Sequence, residues 1–174
     1  ETELQEYIQK NEDDKLVVAL AYLDNYEEAL DSVEDVRRSL LIALIDRKIT
    51  KYFSNFDGVV RKLEKDKYFL IMRQSSLEAL KEQKFHILEE VKTVNIGNEM
   101  TVTLSIGIGL NAPTYLQDYE YSRIAIEMAL GRGGDQVVIK NGNNITYYGG
   151  KTQQMEKNTR VKARVKAQAL KEFM

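Results

Sequence analysis

The most constraining feature of this chain is the apolar run Lys15–Leu23, KLVVALAYL, the longest in the sequence. It is far shorter than the roughly 20 residues that cross a bilayer, and two valines within a short run suit a buried central strand. The remaining pattern has to be arranged around that strand. Asp24–Asp31 turns polar, and from Val33 to Phe53 the apolar residues Val36, Leu40, Leu44 and Ile45 recur at helical spacing, predicting one long amphipathic helix. Ser54–Gly58 (SNFDG) is a turn cluster. Val59–Leu63 and Tyr68–Met72 are strand-like, separated by the charged Glu64–Lys67, which predicts a β-hairpin.

A second helix is expected over Ser75–Val91, with Ser76 as its N-cap and Leu77, Leu80, Leu88 and Val91 along one face. Asn95–Asn98 turns the chain into Thr101–Gly109 (TVTLSIGIG), a strand whose glycines suit close approach of another backbone. A third helix, Tyr115–Leu130, stops at Gly131-Arg132-Gly133-Gly134. Those glycines end a helix rather than open one, so they are read as a cap and not a phosphate loop. Asn141-Gly142 joins two last strands, Gln136–Lys140 and Ile145–Tyr148. The order β-α-β-β-α-β-α-β-β predicts an α+β fold: a mostly antiparallel central sheet flanked by helices, with a ferredoxin-like core and extra strands.

Composition narrows the function. Hydrophobic residues at 43% and charged residues at 30% describe a folded domain rather than a disordered tail. A net charge of −2 gives no reason to expect a nucleic-acid partner. With no cysteine there is neither disulfide nor thiolate metal site, and the single histidine, His86, rules out a multi-histidine centre and disfavours a Ser/His triad. His86 lies on a charged stretch and reads as a surface residue. Glu1–Asp14 is polar and acidic, unlike a signal peptide, and is expected to be a linker from an upstream domain. Thr152–Met174 carries six Lys/Arg against two Glu and no clean apolar stripe, as expected of a helical linker leading onward. Glu1 and Met174 both read as cut ends of a longer protein, with residues 15–150 as the domain between the linkers.

Several short motifs, in order, resemble the GGDEF family of nucleotide-cyclase palm domains. Ala21–Glu27 (AYLDNYE) is similar to that family's D-x-D-x-F-K stretch, and Arg61–Tyr68 (RKLEKDKY) stands where R-x-G-G-D-E-F forms the hairpin turn. Thr103–Gly109 (TLSIGIG) resembles its T-V-S-I-G-V strand, and Ala125–Gly134 (AIEMALGRGG) its last helix end, continued by Asp135–Val138. The resemblance spans about residues 15–148. It implies a site in which two divalent metals sit between a strand-end aspartate and the hairpin acid, activating a nucleotide.

The chemistry departs from that pattern. Tyr22 falls on the first aspartate of D-x-D, Asp24 on the second, and Leu30 on the guanine-reading asparagine. Glu64 and Lys65 replace the glycine pair, filling space that backbone would leave for phosphates. Asp66 keeps an acid, but Lys67 replaces the glutamate. Ser54–Arg61 (SNFDGVVR) has no R-x-x-D inhibitory stretch. Cyclase activity is therefore not expected, and no catalytic residue is assigned. The remaining candidates for nucleotide contact are Asp24, Asn25, Glu64, Lys65, Asp66 and Lys67. Asp24 and Asp66 are the candidates for a metal, with magnesium accompanying ATP or GTP. The bland alternatives are exposed turn carboxylates, solvating lysines, and a capping role for Asn25.

With the tail Asn158–Lys166 (NTRVKARVK), this erosion resembles the degenerate GGDEF domain of the GdpP/YybT family. The resemblance implies a membrane-anchored cyclic-di-AMP phosphodiesterase with two membrane helices, a PAS domain, this domain and a DHH/DHHA1 phosphodiesterase. It also implies a regulatory or dimer-scaffolding role facing the cytoplasm. Weak ATP hydrolysis goes with this domain type, and a nucleotide-sensing module is the other alternative. The manganese-binding catalytic residues of such proteins belong to DHH/DHHA1 and have no counterpart in these 174 residues.

Overall fold

The computed structural model describes residues 2–150; the basic tail lies outside the described residues. The elements are helix α1 (Thr2–Asp14), strand β1 (Leu16–Leu23), helices α2 (Tyr26–Asp31) and α3 (Asp35–Ser54), strands β2 (Val59–Glu64) and β3 (Lys67–Arg73), helices α4 (Gln74–Glu82) and α5 (Ile87–Lys92), strand β4 (Leu104–Leu110), helix α6 (Tyr115–Gly131), and strands β5 (Gln136–Asn141) and β6 (Asn144–Gly149). They form one six-stranded sheet in the order β2-β3-β1-β4-β5-β6. Only the β4–β5 pair is parallel. The first four strands thus have the ferredoxin-like arrangement, and the last hairpin extends one edge. The stretch expected as an N-terminal linker is helical and packs beside α4.

The period of two in β4 divides the molecule. Leu104, Ile106, Ile108 and Leu110 point into the larger core with Leu41, Ile45, Ile49 and Phe53 of α3. Gly107 and Gly109 alternate with them and lie against α6. A Cβ on Gly107 would stand 2.2 Å from the backbone nitrogen of Ile126, and one on Gly109 2.1 Å from the carbonyl oxygen of Asp118. The close approach expected from this strand is therefore real, and only glycine permits it. Buried Asp118 fastens the same corner by accepting from the Ala112 N–H at 2.8 Å. Thr114 caps α6 by accepting from the Gln117 N–H.

Two helix expectations need correction. In α3 the buried stripe is Leu41, Ile45, Ile49, Tyr52 and Phe53, while Val36 is 82% and Leu40 50% exposed. The apolar residues form two stripes: of the expected four, Ile45 lies in the buried one, Leu44 is half-buried, and Val36 and Leu40 lie on the outer one. The expected helix Ser75–Val91 is two helices, because Lys84 and Phe85 adopt positive φ (54° and 53°) and turn the chain between them. That break drives Phe85 into the core, where its ring meets Tyr148 at 5.1 Å. Ser76 lies inside α4, and Arg73 occupies the N-cap position without a side-chain cap.

Gly107→Ala is expected to lower folding stability by about 2 kcal/mol or more, since backbone has to move to admit the methyl group. Gly131→Ala, where an added Cβ meets nothing within 4 Å, is expected to be neutral or slightly stabilising. Urea denaturation of both variants checks the contrast.

Candidate functional site

The end of β1 brings the sequence candidates to one place, but not in one constellation. The Leu23 N–H donates to the Asp66 carbonyl at 2.9 Å, so the β2–β3 turn sits beside the strand end. The Asp24 carboxylate, however, is directed the other way, toward β4 and β5. Its Oδ2 accepts from the Thr103 hydroxyl at 2.7 Å and from the Asp135 N–H at 2.9 Å; its Oδ1 accepts from the Ser105 hydroxyl at 2.6 Å. Gly134, at φ +76°, passes so close that an added Cβ would lie 2.7 Å from this carboxylate. Asp24 is thus a structural knot rather than a carboxylate open toward the turn.

Asn25 does similar work. It occupies the N-cap position of α2 but makes no side-chain cap. Its amide instead donates to the Thr101 carbonyl, and its oxygen accepts from the Thr103 N–H at 3.2 Å. Next to the knot, Asp135 is buried at φ +56° and paired with Lys92 at 2.6 Å. Burial pushes the Asp135 carboxyl above its usual range, with Lys92 opposing.

The hairpin turn is closed on itself. Lys67 Nζ lies 2.9 Å from Glu64 and 3.5 Å from Asp66, while Lys65 reaches Glu27 of α2 at 3.3 Å. The four turn candidates therefore neutralise one another and a neighbouring helix. Tyr22 and Lys67 are direct partners in the β1–β3 register, and the Lys67 ammonium lies 5.2 Å from the Tyr22 ring centroid. A cation facing an aromatic ring thus stands between two positions where the resemblance places metal-binding acids. The hydrogen bond to Glu64, with Asp66 adding, holds Lys67 above its ordinary pKa of 10.5 despite partial burial. A lysine raised on folding contributes its stabilisation at all pH below the unfolded value and loses it only as pH rises through the folded one. The turn consequently stays closed at neutral pH.

Below the turn, the Tyr68 hydroxyl donates to Asp46 of α3, and Lys62 reaches the same carboxylate at 3.0 Å. Burial, then the Asp46 bond, drives the Tyr68 phenol far above its usual pKa. The Leu30 carbonyl, at the base-reading position, accepts from Arg38 Nε at 3.0 Å. Sequence reasoning missed Asp46, Arg38 and the Lys92–Asp135 pair. The partners of Asp46 and the two members of the Lys92–Asp135 pair come from distant segments, and Arg38 reaches back eight residues to a backbone carbonyl, which no side-chain pattern signals.

No group of three or more His, Cys, Asp or Glu side chains arranged to hold a metal occurs among the described residues. Asp24 has both oxygens committed, and Asp66 faces a lysine. This donor set does not fit a divalent ion.

The family model described as "Cyclic-di-AMP phosphodiesterase GdpP-like, GGDEF domain" matches residues 21–147. The chain belongs to this family. Among its relatives is the cyclic-di-AMP phosphodiesterase PdeA of Listeria monocytogenes, 37% identical over 174 residues, covering 99% of this chain and 26% of that protein. Another is the cyclic-di-AMP phosphodiesterase GdpP of Geobacillus thermodenitrificans, 35% identical over the same shares. The chain thus spans about a quarter of the length of these relatives. The active GGEEF domain of a Vibrio cholerae diguanylate cyclase superposes with a TM-score of 0.60 at 13% identity, covering 79% of this chain and 89% of that one. The GdpP-like domain therefore keeps the GGDEF fold. No helix among the described residues is long and apolar enough to cross a membrane.

Asp24→Ala is expected to cost about 3 kcal/mol, because two hydroxyls and the Asp135 N–H lose their acceptor together. Asp66→Ala, on the exposed turn, is expected to stay within about 0.5 kcal/mol of wild type. Urea midpoints test both, and added magnesium should leave the wild-type midpoint unchanged.

Proposed function

We propose that this GdpP-like domain is a non-catalytic regulatory segment of a cyclic-di-AMP phosphodiesterase and makes no cyclic dinucleotide. The Tyr22–Lys67 pair carries the proposal. Two-metal chemistry needs anionic ligands where the ring and the ammonium now meet, and a cation there repels the ions it would have to bind. Glu64 and Lys65 add side chains where substrate phosphates would need open backbone, and both are held by ion pairs. The intact sheet supports a mechanical role, in which the domain passes a state between its neighbours through rigid contacts. In this proposal the upstream PAS domain, the downstream DHH/DHHA1 domain with its manganese, the membrane anchor and a homodimer belong to the longer protein.

The test has two arms. The chain incubated with GTP and magnesium or manganese is expected to give no cyclic-di-GMP by chromatography; turnover would overturn the proposal. Removal of residues 15–150 from the full-length protein is expected to change the rate of cyclic-di-AMP hydrolysis about five-fold or more without abolishing it, the scale of an ordinary coupling energy. An unchanged rate would remove the regulatory role, and complete loss in a folded protein would make the domain part of the catalytic apparatus.

A further inference from the structure

Helix α1 carries an apolar stripe that nothing among the described residues covers. Leu4, Tyr7 and Ile8 follow one another at helical spacing, and each is at least half exposed although the helix packs beside α4. The charge of this helix is lopsided, with five acids against one lysine over Thr2–Asp14. Glu3, Glu6 and Asp14 are exposed and have no ion partner among the described residues. Such a face fits a surface that is apolar and basic.

The outer flank of α3 has that character. Exposed Val36 and Leu40 and half-buried Leu44 run at intervals of four into Arg47, Lys48 and Lys51. The three cations edge a groove, a cavity of about 470 Å³ between α3 and the end of α5. They meet one acid there, Glu90, which stands 4.0 Å from Lys48. Arg47 and Lys51 have no ion partner among the described residues, in a chain whose net charge is −2. The adjoining hollow beside Phe56 and Gln83 adds no lysine or arginine. Lys51, in the last turn of α3, serves the helix dipole. Arg47 lies a further turn back, where that effect has faded, so the dipole does not account for the cluster.

We propose that α1 of a second copy of this chain lies along this flank, and that the two copies exchange these helices reciprocally. Leu4, Tyr7 and Ile8 of one copy cover Val36, Leu40 and Leu44 of the other, and the acids of α1 meet the three cations. At 1.5 Å per residue α1 is about 20 Å long and the stripe from Val36 to Lys51 about 23 Å, so the lengths match. Pairing α1 with α1 would instead set five acids against five, a repulsive contact. Exchange about a two-fold axis makes the α1–α3 contact twice, which doubles the area holding the dimer. The inference deepens the regulatory reading, on which it rests for the homodimer, and uses no residue of the hairpin turn.

The test is sedimentation equilibrium of the chain. A dimer is expected with a dissociation constant of about 100 μM or tighter, weakening as salt is added. Glu3→Lys with Glu6→Lys, and separately Arg47→Glu with Lys51→Glu, should each weaken it about ten-fold or more. Melting temperatures within a few degrees of wild type separate lost contact from lost fold. An equal mixture of the two variants should recover near wild-type affinity, because both contacts then join opposite charges. Leu4→Ser with Ile8→Ser should weaken the dimer at every salt concentration. A monomer throughout, a dimer that ignores the α3 reversal, or a mixture no tighter than either variant would each overturn the proposal. None of these outcomes alters the cyclase assay or the deletion experiment, which test the regulatory role alone.

Discussion

The carboxylate of Asp24 joins three segments that are far apart in sequence: the end of β1, the approach to β4, and the turn from α6 into β5. The first carries the acceptor and the other two supply the donors, which together commit both oxygens. The consequences spread outward. Gly134 has to be glycine because it passes the carboxylate at positive φ. Asp135 is positioned to donate its N–H, so its own side chain turns inward and requires Lys92. Asn25, one residue further, clamps the strand approach at Thr101 and Thr103. An acid at the position where the resemblance places a metal ligand thus holds the sheet together.

The hairpin turn is settled by charge pairing of the same kind. Carboxylates gathered around an absent ion would repel one another. Placing Lys67 between Glu64, Asp66 and the Tyr22 ring removes that repulsion with a charge-assisted hydrogen bond and a cation–π contact. Lys65 extends the neutralisation to α2 through Glu27. The turn is exposed, so these pairs contribute little to global stability. Their effect is local: they settle the turn in a conformation that has no demand for a ligand.

Much of the fold was legible because its signals are local. The run Leu16–Leu23, the glycine-bearing strand, the Asn141-Gly142 turn and the glycine stop after α6 each announce their geometry within a few residues. The failures share a cause in tertiary context. Val36, Leu40 and Leu44 have helical spacing as good as that of the true core face, and only the sheet's position decides between the stripes. The break at Lys84 and Phe85 carries no glycine or proline; it exists because burying Phe85 against Tyr148 compensates left-handed backbone in two ordinary residues. At the site, residue identities marked where the chain departs from the GGDEF pattern. They did not reveal that Asp24 faces β4 or that both turn lysines are already paired, since those facts depend on register and side-chain direction.

The two stripes of α3 carry different chemistry on one helix. The inner stripe is closed by the sheet, and its one hydroxyl, that of Tyr52, is paired with Gln83. The outer stripe begins with exposed Val36 and Leu40 and passes through Leu44 into the cations of the groove. Solubility alone favours interspersed charges of both signs, whereas here three cations gather over five residues beside a single acid. Aromatic and amide groups continue the same depression at its far end. The hairpin turn has the opposite organisation, with Glu64, Lys65, Asp66 and Lys67 each met by a neighbour. Uncompensated positive charge in this domain therefore lies on the outer flank of α3, away from the turn that gives the wider fold family its name.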